Sequence, residues 1–275
     1  MPEIVAQPLL TTATVAVRAV RCLGRCAHRS AEEYAAETHL VFPYRGVFVR
    51  HLGSDDAVAE ANQMLFFNHA EGYRVSHPVP GGDASLDIVV RDVLLAELTP
   101  RALLHERQAP AFRRQRLRID PGTQSLLAHL RHRLQSGSIE PLEAENLTLT
   151  LVGRALQSSL RHRQNASAGR RALVDRVKLL LAGDLSRRWT LAELGAHLGH
   201  SPVYLTQLFH DIEGVPLYRY QLRLRLARAL ELLAGCDDLT ALGLDLGFSS
   251  HSHFTTAFRQ VYGQSPSAFR RECRF

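Results

Sequence analysis

The sequence predicts an α+β chain in two parts, a β-rich stretch over about residues 1–120 and an all-α remainder that ends in two helix-turn-helix motifs. Three observations predict it. Short runs rich in Val, Leu, Phe and Tyr, separated by Gly, Pro, Asn and Asp, fill the first part. Helical periodicity replaces them from Thr123 onward. A unit of about fifty residues is then written twice in the last third.

In chain order, His39–Phe42, Gly46–His51, Gln63–Phe67, Tyr73–His77 and Leu86–Arg91 read as strands. Pro78-Val79-Pro80-Gly81-Gly82-Asp83 reads as a turn. Antiparallel strands of this length suggest a small barrel or sandwich. Thr123–Leu134 and Glu140–Arg163 read as helices, the second with Leu147, Leu149, Leu151 and Leu156 among its apolar positions. Residues 164–170 read as a linker, because Gln164–Gly169 is small, polar and unpatterned. The first part then spans 1–163 and the last 171–275.

The repeat begins at Leu191–Gly199, which returns as Leu239–Gly247 with Leu191, Leu194, Gly195, Leu198 and Gly199 matched by Leu239, Leu242, Gly243, Leu246 and Gly247. Beyond it, Ser201, Thr206, Phe209, Gly214 and Pro216 match Ser249, Thr255, Phe258, Gly263 and Pro266, the slipping offset marking loop insertions. In the first copy the leucines fall at i, i+3 and i+7, a buried helical stripe. Thr190 with Glu193 forms a capping box before it. Gly195 allows a second helix to approach closely, and Gly199 accepts the left-handed conformation that ends the first helix. Ser201 caps a second helix with Pro202 in its first turn. That helix buries Leu205, Leu208, Phe209 and Ile212. Its other face carries Val203, Thr206, Gln207 and His210, side chains suited to a DNA major groove.

In the second copy (191–213 being the first motif, 239–262 the second), Leu239–Leu246 supports a presumed recognition helix at His251–Tyr262. The helix buries Phe254, Phe258 and Val261 and offers His251, Ser252, Thr255, Thr256 and Arg259. His251 and His253 point about 200° apart on a helix, so no metal is expected there. Between the copies, Pro216 to about Leu233 holds no Gly and no internal Pro, which predicts one rigid helix of about 27 Å. A spacer of that length can hold two recognition helices about one DNA turn, 34 Å, apart. Arg219, Arg223, Arg225 and Arg228 on it are candidates for phosphate contacts.

With these residues in view, positions 170–275 resemble the DNA-binding domain of the AraC/XylS family of bacterial transcription regulators. The most specific segment is G-F-S-S-H-S-H-F-T-T-A-F-R-Q-V-Y-G-Q-S-P-S-A-F-R, Gly247 to Arg270. The resemblance implies a seven-helix domain whose recognition helices enter adjacent major grooves of double-stranded DNA. Carried over, the reading residues are Pro202, Val203, Thr206 and Gln207 in the first helix, and His251, Ser252, Thr255 and Thr256 in the second. The first helix lacks Arg or Lys on this face, which leaves its base contacts to Gln207, Thr206 and apolar contact with thymine methyls. The resemblance also implies a cupin-like sensor barrel over 1–120, two helices that form a homodimer interface or pack against the barrel, and contact with RNA polymerase. A small-molecule effector would then bind among inward strand residues such as Phe48, Phe66 and Tyr73.

The net charge of +6 suits a polyanionic partner, and residues 170–275 carry 14 basic and 10 acidic side chains, a net of +4. Lys178 is the sole lysine. No run of eighteen apolar residues exists and the start lacks a secretory pattern, which together predict a cytoplasmic protein without membrane spans. Cys22, Cys26 and His28 lie close together, and a metal- or thiol-responsive regulator using Cys22 and Cys26 is an alternative reading. His39, His51, His69 and His77 are further ligands in principle. Two structural thiols are the plainer reading, with no metal, cofactor or disulfide expected. Residues 1–120 contain no His-x-His, and the chain has no Gly-x-Ser-x-Gly elbow, P-loop or Rossmann glycine set. A metal-dependent cupin enzyme fused to a DNA-binding module is therefore disfavoured, and no catalytic residues are expected.

Overall fold

The computed structural model describes residues 4–23, 28–107, 109–158 and 166–273. The chain divides into two compact units, Met1–Arg161 with Arg271–Phe275, and His162–Arg270. Cys26, part of the expected thiol pair, lies outside the described residues.

The first unit contains β1 (Ile4–Thr11), β2 (Val15–Cys22), β3 (Glu33–Tyr34), β4 (His39–Arg45), β5 (Phe48–Leu52), β6 (Asp55–Ala59), β7 (Gln63–Phe67), β8 (Gly72–Ser76), β9 (Asp83–Val90) and β10 (Arg116–Arg118). Helices α1 (Asp92–Leu98), α2 (Pro121–Ser136) and α3 (Pro141–Ser158) complete it. The strands form a six-stranded sheet, β1-β2-β9-β4-β7-β10, and a four-stranded sheet, β3-β8-β5-β6, with every pairing antiparallel. Among the described residues no pairing closes either sheet, so the hydrogen-bonded architecture is two open sheets rather than one continuous barrel.

Side-chain alternation divides the large sheet cleanly. Val15, Val17 and Ala19 of β2, Leu40 and Phe42 of β4, Met64 and Phe66 of β7, and Leu86 and Ile88 of β9 face one core with Leu95, Leu127, Leu130, Leu151 and Leu156 of the three helices. Val41, Leu65 and Phe67 face the other way, where they pack with Ala35, Phe48 and Ala59. The apolar stripe of α3 is therefore largely spent inside this unit. Asp120 caps α2 by accepting from the Thr123 amide at 2.8 Å, with Pro121 at the first helical position.

The second unit contains α4 (Ala168–Gly183), α5 (Leu191–Leu198), α6 (Pro202–Glu213), α7 (Leu217–Leu232), α8 (Leu239–Asp245), α9 (His251–Tyr262) and most of α10 (Pro266–Cys273). Of the linker expected at 164–170, Gln164 and Asn165 lie outside the described residues, and α4 begins at Ala168. Ala and Arg favour helix more than the polarity of this stretch suggests. The capping box at Thr190 forms, with the Thr190 amide donating to Glu193 at 2.8 Å and the Glu193 amide donating to Thr190 Oγ1 at 3.2 Å.

Both helix-turn-helix copies end their first helix alike. The His200 amide donates to Gly195 O at 3.1 Å, and the Phe248 amide donates to Gly243 O at 3.0 Å. A Cβ on Gly195 would stand 2.7 Å from His200 O, and one on Gly243 would stand 3.1 Å from Phe254 Cβ. The paired glycines thus permit the tight turn in each copy. Ser201 caps α6, and the cap of α9 is Ser250 rather than Ser249, so the extra residue of the second copy precedes the cap.

The spacer α7 has 16 residues, about 24 Å at the helical rise. It is buried on nearly every side. Arg225, expected to reach phosphate, instead points inward, where Nε donates to Leu185 O at 2.6 Å. Its Nη2 donates to Ser186 O at 3.4 Å and Arg187 O at 2.9 Å, and its Nη1 donates to Gly247 O at 3.2 Å. Arg228 pairs with Glu231 on the same helix, while Arg219 remains exposed.

Gly247 sits at φ 83°, and a Cβ there would lie 2.5 Å from Ser186 O and 3.0 Å from the Arg225 guanidinium. Gly247→Val is expected to destabilise the second unit by at least about 2 kcal/mol. Thermal and denaturant melting of the full chain checks this, and a variant that melts with the parent contradicts it.

Candidate nucleic-acid interface and sensor cavity

The two candidate reading helices owe their positions to what lies behind them. Leu205, Leu208, Phe209 and Ile212 are buried under α6, where Phe209 meets Tyr220 of α7 edge to face at 5.0 Å. Lys178 of α4, fully buried, places Nζ 2.5 Å from Glu213 at the end of α6 and 3.6 Å from Asp175. Such a pair holds α6 in place because removing either partner strands a buried charge. Phe254 and Phe258 anchor α9, packed against Phe248 and Phe269. Val261, expected among them, is half-buried.

On the outward side of α6, Pro202, Val203, Gln207 and His210 are exposed and Thr206 is half-exposed. Thr206 Oγ1 donates to Pro202 O at 2.9 Å, which commits its hydroxyl proton to the helix. Its remaining offers to DNA are an acceptor and a methyl group. Tyr204, missed in the sequence reading, is 40% exposed beside Val203, 66% exposed. Its absence from the buried stripe was the available signal.

On α9, His251, Ser252, Thr256 and Arg259 are exposed and Thr255 is half-exposed. The His251 ring lies between Thr240 Oγ1 at 3.4 Å and Thr255 Oγ1 at 3.3 Å, which orients it. His253 turns away instead, with Nδ1 3.0 Å from Ser249 Oγ and its ring edge-on to Phe248. The two histidines therefore serve different ends, as their spacing predicts.

In the first unit, a cavity of about 160 Å³ opens on the face of the large sheet away from the helices. Phe48 and Tyr73 line it as expected, and Phe66 does not. Phe66 stacks on Phe112 at 3.7 Å in the helix-side core, and Phe67, the next residue, faces the cavity. A strand reverses face at each residue, so a choice wrong by one selects the opposite side.

His39, His77, Asp83, Ser85 and Asp87 add polar groups to Val20, Val41 and Val75 in the lining. The His39 ring stacks on Phe67 at 4.9 Å, and burial pulls its pKa down. Burial pushes the Tyr73 phenol up to about 12, and its hydroxyl donates to Glu33 at 3.3 Å. Arg50, fully buried, lies 4.4 Å over the Phe67 ring and donates to Glu71 at 2.6 Å. Burial pushes Asp87 up to about 6 although Ser85 Oγ donates to it at 2.8 Å. At 160 Å³ the space suits a small ligand or a hydrated ion better than a drug-sized molecule.

A family model described as a helix-turn-helix domain matches residues 194–272, from within α5 into α10. The regulatory protein PocR of Salmonella typhimurium is 34% identical over 89 residues, 32% of this chain and 29% of that protein. The HTH-type transcriptional activator RhaR of Klebsiella pneumoniae is 30% identical over 110 residues, 40% of this chain and 39% of that one. The virulence regulon transcriptional activator VirF of Yersinia enterocolitica is 25% identical over 244 residues, 85% of this chain and 80% of that one. The chain thus spans less than a third of PocR and less than half of RhaR, in each case over a stretch of about the size of one of its two units.

Two predictions follow from the two sites. Replacing Gln207 or Thr256 by Ala is expected to relax base preference in one half of the DNA site at a cost of about 1–3 kcal/mol. Selection from a randomised DNA pool measures it, and unchanged preference in both variants would place the reading face elsewhere. For Asp87, a raised folded-state pKa means that protonation stabilises the fold fully below the ordinary 3.8 and that this is lost as pH rises through about 6. Asp87→Asn is therefore expected to raise stability by on the order of 1–3 kcal/mol near pH 8, with the gain shrinking toward pH 4.5. A gain independent of pH in melting experiments would contradict the assignment.

Proposed function

We propose that this chain, which belongs to the AraC/XylS family of DNA-binding transcription regulators, reads one double-stranded DNA site with α6 and α9 in successive major grooves. The observation that carries the reading is the fixed pair of helix-turn-helix motifs, with α7 between them and Arg225 tying the segment before the first to the turn of the second. Pro202, Val203, Thr206, Gln207 and His210 face one groove. His251, Ser252, Thr255, Thr256 and Arg259 face the next, with Arg259 placed for phosphate or guanine.

The first unit acts as the sensor, a cupin-like module whose cavity between Phe48, Phe67 and Tyr73 takes a small effector. Control then requires the effector to favour one arrangement of the DNA-binding units over another. The family resemblance supports a homodimer and contact with RNA polymerase, and the relatives named as transcriptional regulators support a regulatory rather than enzymatic role. Where DNA and polymerase are, in the cytoplasm, the chain does its work. Among the described residues no helix is long and apolar enough to cross a membrane.

A footprint of the full-length protein on DNA upstream of its own gene tests the reading. Two protected major-groove segments about one turn, or 34 Å, apart are expected for each protomer. Folded protein that protects no segment at low salt, with or without candidate effectors, would contradict it.

A further inference from the structure

One end of the sensor cavity carries a cluster that neither DNA reading nor sheet packing requires. Cys22 closes β2 and Asp83 opens β9, and the antiparallel register sets them directly opposite each other. His77 follows β8, and the turn through Pro78, Gly81 and Gly82 returns the chain to Asp83. Gly82 sits at φ 70°, where a Cβ would stand 2.2 Å from Cys22 O, so this turn is packed tightly against the end of β2. Backbone geometry therefore brings the three residues together.

Cys22, His77 and Asp83 are 2%, 5% and 7% exposed. One donor atom from each lies within 4.8 Å of the other two. His77 Nδ1 is 2.5 Å from Asp83 Oδ2, while His77 Nε2 is buried without a hydrogen-bond partner. An unpartnered imidazole nitrogen at that depth is costly, and such groups call for a ligand or ion that uses them.

We propose that Cys22, His77 and Asp83 form a binding site for a divalent transition metal of zinc's character, and that its occupancy is a signal the first unit passes to DNA binding. The site stands on its own geometry, and the signalling half rests on the sensor reading above. Thiolate, imidazole and carboxylate together suit Zn²⁺, whereas Mg²⁺ and Ca²⁺ call for oxygen donors. The same carboxylate cannot stay on Nδ1 and also ligate the metal, so binding exchanges the His77–Asp83 hydrogen bond for two bonds to the metal, one from the imidazole and one from the carboxylate. Donors around tetrahedral Zn²⁺ stand roughly 3.3–3.8 Å apart, so binding parts the His77–Asp83 pair, now 2.5 Å apart, by about an ångström, with Cys22 adjusting to meet them. Three protein donors leave a fourth position open toward the cavity for water or a small ligand. Binding converts the Cys22 thiol to thiolate and releases its proton to solvent, so affinity falls as the solution is acidified.

The test uses full-length protein stripped of metal under reducing conditions and titrated with Zn²⁺ against a chromophoric chelator, and with Co²⁺ followed by its absorption. One equivalent is expected, with a thiolate-to-cobalt charge-transfer band. Cys22→Ser and His77→Ala are expected to weaken binding at least about 100-fold and to remove the band, while Cys26→Ser retains both. Melting of the metal-free Cys22→Ser protein, close in shape to the parent, confirms that the loss is not unfolding. Absence of stoichiometric binding, or variants that bind like the parent, would overturn the site. Equal loss in Cys26→Ser would overturn this ligand set in favour of the cysteine pair. Operator affinity is measured with and without Zn²⁺. A change of tenfold or more supports the signal, and unchanged affinity with an intact site overturns the signalling half alone.

Discussion

Arg225 stands in the middle of α7 and donates to the carbonyls of Leu185, Ser186, Arg187 and Gly247. Three of these belong to the approach to the first helix-turn-helix, and the fourth belongs to the turn of the second. A planar guanidinium with five fixed donors can hold several carbonyls at once, which a lysine cannot. Burial lowers its pKa, and neighbouring Arg188 lowers it further, yet from an ordinary value of 12.5 it stays charged at neutral pH. The spacing between α6 and α9 thus depends on one buried side chain as well as on the length of a helix.

The glycines of the repeat serve the same constraint. Gly195 and Gly243 let each turn close on the helix before it, and Gly247 leaves room for Ser186 O and the Arg225 guanidinium. Behind α6, the ion cluster of Lys178, Asp175 and Glu213 holds the helix from its far end. The only lysine of the chain is therefore structural, and the mild positive charge available to DNA comes from arginines. On the proposed reading, a face of Val203, Gln207, Ser252 and Thr256 with few cations would put more of the specificity on shape and methyl contacts than on strong guanine contacts.

Much of the second unit was legible because its signals are local. The Thr190 to Glu193 box and the Gly199 turn each act within one or two helical turns and appear as expected, and of the leucines at i, i+3 and i+7 Leu194 and Leu198 are buried while Leu191, in the first turn of α5, is exposed. Arg225 was misread because an arginine in a helix looks the same in sequence whether its partner is a phosphate or a set of carbonyls distant along the chain. In the first unit β1, β2, β3, β6 and β10 escaped notice, although β2 carries the alternation of a strand. β1 carries Pro8 and is exposed along most of its length, and β6 opens on Asp55 and Asp56, so neither shows the apolar alternation that marks a strand. Phe66 was placed on the wrong face because hydrophobic character alone does not distinguish it from Phe67 on a strand buried on both sides. Cys22 and His77 were among the possible ligands, but their grouping with Asp83 was not legible, since it forms only through the β2 to β9 register and the turn after β8. The nearer pairing in sequence, Cys22 with Cys26, drew the attention instead.

The claim that α6 and α9 act as one rigid reader is tested most directly by changing the DNA rather than the protein. Once an operator is defined, an insertion of about five base pairs between its two protected segments turns the second groove to the opposite face of the helix. A rigid pair joined through α7 and Arg225 then loses one of its two helices, and affinity is expected to fall by about 100-fold or more, with recovery too small to restore it when a full turn of about ten is inserted. Affinity that tolerates the half-turn insertion within a few fold would mean that the two motifs move independently, and would contradict the account.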